Sequence, residues 1–383
     1  MVEAAAQSSA SGTAANPIRV MVVDDSAVIR GLLTRTLEAD PDLAVVASVG
    51  NGQMAISSLG RADTDVIVLD IEMPVMDGLT ALPKLLAASP DVKVIVASTL
   101  TQKNAQISLK ALSAGASDYV AKPSSSQLNA AADFKRELVE KVKALGRARR
   151  AARQRSGVAP KGDLPFRPPV STKTTAAPGG PIVLRKPSNV PPAVIAIGSS
   201  TGGPQALFTV LGALPASLQL PILITQHMPP TFTTILAQHL SRVANRPAAE
   251  AVDGETVKPG RIYLAPGDFH MRVEQSGTDR VLRLSKDPPE NFCRPAVDPM
   301  LRSLAQVYGP AVLTVILTGM GSDGAKGGQV IVNAGGTVVA QDESTSVVWG
   351  MPGAAAAAGI CSAILSLSDV APHVARLAGG GRA

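Results

Sequence analysis

Val194-Ile195-Ala196-Ile197-Gly198-Ser199-Ser200-Thr201-Gly202-Gly203-Pro204 decides how the second half of the chain is read. A β-branched run ends at Gly198. A hydroxyl cluster and two glycines follow, then a proline suited to the first turn of a helix, and an apolar-periodic segment over 206–214. The stretch therefore reads as strand, sharp turn, helix. Gly198 to Gly202 fits G-x-S-x-G, a turn that lifts its central hydroxyl, here Ser200, above the carboxyl edge of a sheet, where open α/β folds bind ligands. A Gly/Ser turn before a helix also suits plain chain reversal or a phosphate-binding helix N-terminus, and the pattern by itself leaves these open.

Working outward, an apolar strand over 221–225 ends in Gln226-His227-Met228-Pro229, and a strongly apolar strand over 311–317 ends in Thr318-Gly319-Met320-Gly321-Ser322-Asp323-Gly324-Ala325. Helices are expected over 231–240, over 299–308 and from near Pro352, with a further strand over 337–340. Between 250 and 284 the pattern changes to short β-type runs with Gly turns, such as 261–264 and 281–284, which predicts an antiparallel hairpin region appended to a parallel sheet. Ser200, His227 and Asp323 each lie just past a strand expected to be parallel, so one sheet edge can bring them together. An alcohol, an imidazole and a carboxylate are what nucleophilic acyl transfer requires: serine attacks, histidine takes the proton, aspartate orients the ring. The chain order Ser…His…Asp differs from the Ser…Asp…His of α/β-hydrolases. His239 and His270 compete with His227 for the role of base, and Asp323 also reads as a cap for the helix that follows it.

Residues 18–149 alternate between apolar runs at 19–23, 43–49, 65–69, 92–97 and 117–120 and helical stretches at 28–38, 53–59, 79–88, 102–114 and 134–145. Five strands alternating with five helices predict a parallel, doubly wound sheet. Its strand ends carry Asp24 and Asp25, Asp70, Ser98 and Thr99, and Lys122. Three carboxylates on one edge repel unless a hard cation neutralises them, and Mg²⁺ is the natural choice. A carboxylate beside such an ion can attack a phosphoryl group while metal and lysine absorb the developing charge.

The whole chain is thus expected to be α/β, with two doubly wound parallel-sheet domains, 17–146 and 191–380, joined by a flexible Pro/Gly/basic linker over 147–190. Residues 147–186 hold ten Lys/Arg and one Asp, so this segment carries +9 and the remainder −3 of the total of +6. The basicity belongs to one segment, and the output half lacks a helix-turn-helix pattern, which argues against nucleic acid as a partner. Aromatics make up 3% of the residues, too few for a base-stacking surface. No lysine follows the glycines after Gly198 as a P-loop requires. Two cysteines, Cys293 and Cys361, form neither a disulfide framework nor a zinc site and suit a reducing compartment. Residues 1–16 read as an Ala/Ser tail without signal-peptide character, and the apolar stretch 351–367 is broken by Pro352, Gly353 and Gly359, so neither secretion nor membrane insertion is expected.

Two sets of motifs carry a resemblance. Val22-Val23-Asp24-Asp25-Ser26, Leu69-Asp70-Ile71-Glu72-Met73-Pro74-Val75-Met76-Asp77-Gly78, Ala97-Ser98 and Tyr119-Val120-Ala121-Lys122-Pro123 resemble the receiver domain of two-component response regulators. The resemblance implies that Asp70 accepts a phosphoryl group from a histidine kinase. It implies further that Asp24, Asp25, Asp70 and the backbone carbonyl of Glu72 hold Mg²⁺, that Ser98 and Lys122 contact the phosphoryl oxygens, and that Tyr119 is the switch aromatic. The stretch opening at Ala196, together with Gln226 to Pro229, Tyr263-Leu264-Ala265-Pro266-Gly267, Arg294-Pro295-Ala296-Val297-Asp298 and Leu317 to Ala325, is similar to the catalytic domain of chemotaxis-specific protein-glutamate methylesterases. This implies Ser200 as nucleophile, His227 as general base, Asp323 as its partner, and a backbone N–H near Met320 for the oxyanion. The elbow rule nominates the Thr201 amide for that last role. It also implies a cytoplasmic enzyme acting on methyl-accepting chemoreceptors, with glutamine deamidation as a second activity and no cofactor for hydrolysis. The chain departs from the family's common residues at Ser199, Ser322 and Cys293, where Ala, Asn and His are frequent.

Overall fold

The computed structural model describes residues 16–99, 101–122, 128–155 and 182–379. The expected tail and most of the expected linker lie outside them. The described chain builds two α/β units, each a parallel sheet with its helices.

The first unit alternates strictly: β1 (Ile18–Val23), α1 (Ala27–Glu38), β2 (Leu43–Val49), α2 (Gly52–Leu59), β3 (Val66–Asp70), α3 (Gly78–Ala88), β4 (Lys93–Thr99), α4 (Gln102–Ser113), β5 (Asp118–Lys122) and α5 (Leu128–Arg155). The strands lie in the order β2-β1-β3-β4-β5, with β1 parallel to both β2 and β3. Val20, Met21, Val22 and Val66 to Leu69 are buried, as both faces of such a sheet require. The order reverses at β1, so the crevice for a ligand opens where β1 and β3 end, at Asp24 and Asp70. Side-chain caps start the helices: Ser26, Asn51, Asp77 and Thr101 each accept a backbone N–H of the first turn.

Helix α5 runs ten residues beyond the expected end at 145, into the basic segment. The extension is held by ion pairs. Arg149, 1% exposed, reaches Asp65 at 2.7 Å, and Arg150 reaches the other oxygen of the same carboxylate at 2.6 Å. Part of the basic segment is therefore helix bound to acidic groups, which local periodicity does not report.

The second unit contains β6 (Val194–Ser199), α6 (Gly203–Ala213), β7 (Ile222–Gln226), α7 (Phe232–Ala244), β8 (Ala248–Glu250), β9 (Ile262–Leu264), β10 (His270–Ser276), β11 (Asp279–Ser285), α8 (Val297–Tyr308), β12 (Val312–Ile316), α9 (Ala325–Asn333), β13 (Thr337–Gln341), α10 (Met351–Ala357), β14 (Ala363–Leu365) and α11 (Leu367–Ala378). Seven strands form one sheet, β14-β13-β12-β6-β7-β9-β8, and β10-β11 is an antiparallel hairpin. The expected hairpin region is narrower than the sequence suggested. Residues 262–264 join the main sheet parallel to β7, and β8 adds a further parallel edge strand. Three-residue strands carry no readable alternation, and their parallel partners lie far away in sequence. Val194, Ala196, Val297, Met300, Leu301 and Ile316 are all buried in one core that packs α8 against this sheet. The strands β12, β6 and β7 are adjacent and parallel, so their carboxyl ends form a single edge.

Candidate active site and acidic edge

Ser200 follows β6 in a turn that tolerates no added carbon. Gly202 has φ of 75°, and a Cβ on Gly203 would overlap Gln226 Oε1. Gln226, at the end of β7, clamps the two loops together. Its Oε1 accepts from the buried Ser199 hydroxyl at 2.7 Å, and its Nε2 donates to Ser200 O at 2.9 Å. The Ser200 N–H donates to Thr318 O at 3.0 Å, and Thr318 Oγ1 donates to Thr201 O at 2.9 Å, which ties in the loop after β12. The amides of Thr201 and Met320 have no acceptor among the described residues.

His227 and Asp323 meet: Nε2 of the ring lies 2.8 Å from Asp323 Oδ2. Asp323, 1% exposed, also accepts from the amides of Val297 at 2.6 Å and Asp298 at 3.0 Å and from Asn291 Nδ2 at 3.0 Å. Burial works against its charge, but the His227 bond and these donors hold its pKa below the ordinary value. The other ring nitrogen, Nδ1, lies 3.3 Å from Cys293 Sγ. Burial opposes the imidazolium here too, yet the sulfur beside the ring and the bond to Asp323 outweigh it and raise His227 to about 10. Neighbouring Asp298 shifts upward through burial and the adjacent Asp323 carboxylate.

The structure thus pairs His227 with Asp323 and sets Ser200 on the adjoining loop, without a hydrogen bond between the Ser200 hydroxyl and the ring. The competing histidines lie elsewhere. His270 Nε2 faces Pro288 O at 3.1 Å, and His239 packs on Phe208. Sequence reasoning missed Gln226, Asn291, Thr318 and Cys293 as parts of the site. Gln226 and Thr318 stand inside the quoted motifs beside His227 and Met320, but their roles are contacts between loops, which no local pattern encodes.

In the first unit, carboxylate oxygens of Asp24, Asp25 and Asp70 lie within 4.8 Å of one another. Lys122 Nζ bridges Asp24 at 2.6 Å and Asp70 at 2.7 Å. Burial raises the pKa of Asp70 despite the lysine. A cluster of hard oxygen donors fits a divalent cation such as Mg²⁺. Asp70 is the last residue of β3, Glu72 lies two residues on and is exposed, and Tyr119 is buried on β5. The Ser98 hydroxyl is 2.8 Å from Ser108 Oγ.

A regulator-type sheet with an acidic carboxyl edge, followed by a parallel sheet that gathers serine, histidine and aspartate, defines a response regulator with an enzymatic output. Comparison with known proteins agrees. The family described as CheB methylesterase matches residues 195–374, and the response regulator receiver domain matches residues 20–133. The protein-glutamate methylesterase/protein-glutamine glutaminase 1 of Paramagnetospirillum magneticum is 62% identical over 95% of this chain and 97% of its own. The protein of the same description from Rhodospirillum rubrum is 58% identical over 96% and 97%. The CheB methylesterase catalytic domain of Thermotoga maritima, a crystal structure, is 41% identical, with a TM-score of 0.48 over 49% of this chain and all of that one. The chain belongs to the protein-glutamate methylesterase/protein-glutamine glutaminase family.

Proposed function

We propose that this chain hydrolyses glutamate methyl esters on methyl-accepting chemoreceptors, and by the same route glutamine amides, with Ser200, His227 and Asp323 as the catalytic groups. The observation that carries the reading is the 2.8 Å bond from His227 Nε2 to Asp323 on the edge that also presents Ser200. Because Asp323 holds Nε2, the ring accepts the serine proton at Nδ1. Ser200 Oγ attacks the ester carbonyl, its proton passes to Nδ1, and methoxide leaves with that proton as methanol. Water then attacks the acyl-enzyme, gives a proton to the ring and releases glutamate, and Ser200 regains its hydrogen. The amides of Thr201 and Met320, which have no acceptor among the described residues, stabilise the oxyanion in this reading.

Phosphorylation of Asp70 by a histidine kinase regulates the output. Asp24, Asp25, Asp70 and the Glu72 carbonyl would hold Mg²⁺, which neutralises carboxylate and phosphoryl oxygens when bound. Lys122 then balances the charge on the phosphoryl group. Ser98 reaches the phosphoryl group by turning its hydroxyl from Ser108, and Tyr119 reports the change as a shift between two populations. The domains of this reading are the receiver, 17–146, and the esterase, 191–380. Both act in the cytoplasm, where kinase and receptor signalling helices meet.

Replacing Ser200 with Ala and measuring methanol release from methylated receptor membranes tests the proposal. Loss of turnover with the chain still folded supports it, and undiminished turnover removes Ser200 from the mechanism.

A further inference from the structure

Cys293 reaches His227 on a two-residue turn. Glu290 and Cys293 exchange both main-chain hydrogen bonds, at 3.1 and 2.9 Å, across Asn291 and Phe292, whose φ angles are 51° and 62°. Two consecutive positive φ values are the mark of a type I′ turn, which favours Asn and Gly. Phenylalanine in the second position holds that conformation at a cost. Two residues of this turn contact the site. Asn291 Nδ2 donates to Asp323 Oδ1 at 3.0 Å, and Cys293 Sγ lies 3.3 Å from His227 Nδ1. Thiol, imidazole and carboxylate therefore stand in line, with a side-chain amide behind the carboxylate. This is the arrangement that activates a nucleophilic cysteine. Cys293 is partly exposed, whereas Cys361 is buried and its thiol is pushed up to about 12 by that burial. Ester hydrolysis through Ser200 gives the thiol no bond to make or break.

We propose that Cys293 is a second nucleophile of this site, a modification point for peroxide whose oxidation silences the esterase. The sulfur attacks one peroxide oxygen, the S–O bond forms and the O–O bond breaks. The thiol proton passes through His227 Nδ1 to the departing hydroxide, which leaves as water. Sulfur is oxidised to sulfenic acid and the peroxide is reduced. The sulfenic oxygen then occupies Nδ1, the nitrogen that takes the proton from Ser200. The effect on activity rests on the proposed role of Ser200 and His227, while the reactivity of the thiol does not.

The experiment treats the full chain with hydrogen peroxide, traps sulfenic acid with dimedone, locates the adduct by mass spectrometry and follows methanol release in parallel. Dimedone is expected on Cys293 and not on Cys361, with activity falling about tenfold and returning with dithiothreitol. Replacing His227 with Ala slows the labelling about tenfold, since the thiol loses its base. C293A and C293S, whatever rates they start from, keep those rates under peroxide. Labelling of Cys293 that is no faster than that of free glutathione, or that is unchanged in H227A, overturns the proposal. So does equal loss of activity in the Cys293 variants. An active S200A enzyme whose Cys293 still labels in a His227-dependent way refutes the serine mechanism and leaves the reactive thiol standing.

Discussion

Asn291 Nδ2 lies 3.0 Å from Asp323 Oδ1, on the side of the carboxylate away from His227. The bond fixes the tilt of the carboxylate that holds the ring. Asp323 keeps its Val297 and Asp298 amides when Asn291 is cut back, so N291A should loosen the His227–Asp323 pair without breaking it. One hydrogen bond to a charged acceptor is worth about 1.5–3 kcal/mol, which places the expected loss in kcat at roughly 10- to 150-fold with KM little changed. D323N removes the charge itself, and a fall of about 10⁴ in kcat is expected from the wrong tautomer. Steady-state methanol release separates the two.

The ring charge gives a pH signature. His227 rises from 6.5 to about 10 in the folded chain, so the fold binds this proton more tightly than the unfolded chain does. The resulting stability is complete below about pH 6.5 and is lost as pH climbs through about 10. On the proposed mechanism turnover needs the neutral ring, so the rate should rise over the same range. C293A removes a group that raises the ring, so its rate limb should move to lower pH and its melting temperature should fall less between pH 7 and 10. A limb that stays in place in C293A would show that the sulfur does not set the base.

Gly319 is where the site meets its scaffold. A Cβ there would run into Met351 Sδ and stand 2.8 Å from Ser200 Cβ. G319A should therefore push the Ser200 loop, cost about 1–3 kcal/mol in stability and lower kcat. Thermal melting and methanol release are read on the same sample, and unchanged turnover would mean that the loop yields freely.

Lys122 joins Asp24 and Asp70 at 2.6 and 2.7 Å in a largely buried group. Removing the ammonium leaves two carboxylates facing each other, so K122A is expected to lose about 3 kcal/mol. Added Mg²⁺ should restore much of that, because the cation replaces the missing charge. A thermal shift series with and without Mg²⁺ measures it. Chelation should abolish phosphoryl uptake from acetyl phosphate, as should D70N, while basal ester hydrolysis persists.

Much of this was legible in the chain itself. The alternation of residues 18–149 named five strands and five helices, because buried parallel strands and amphipathic helices repeat with different periods and end in recognisable caps. The stretch from Val194 to Pro204 announced strand, elbow and helix because glycine and proline act locally. The partners of His227 were less accessible. Asp323 was named, but the thiol on Nδ1 and the amide on Asp323 were not, since Cys293 and Asn291 come from a turn 64 to 66 residues beyond His227, brought there by the packing of α8. The same holds for the end of α5, set by ion pairs to Asp65 across 84 and 85 residues.

The sequence by itself determined the two parallel-sheet units and the acidic strand ends and placed a serine, a histidine and an aspartate just past expected strands, for these follow from periodicity and from residue types at strand termini. Only the tertiary structure decided which nitrogen of His227 faces Asp323, and that a cysteine occupies the other. Ring orientation is settled by the groups that surround it in space, and those come from separate loops whose meeting depends on the order of strands in the sheet.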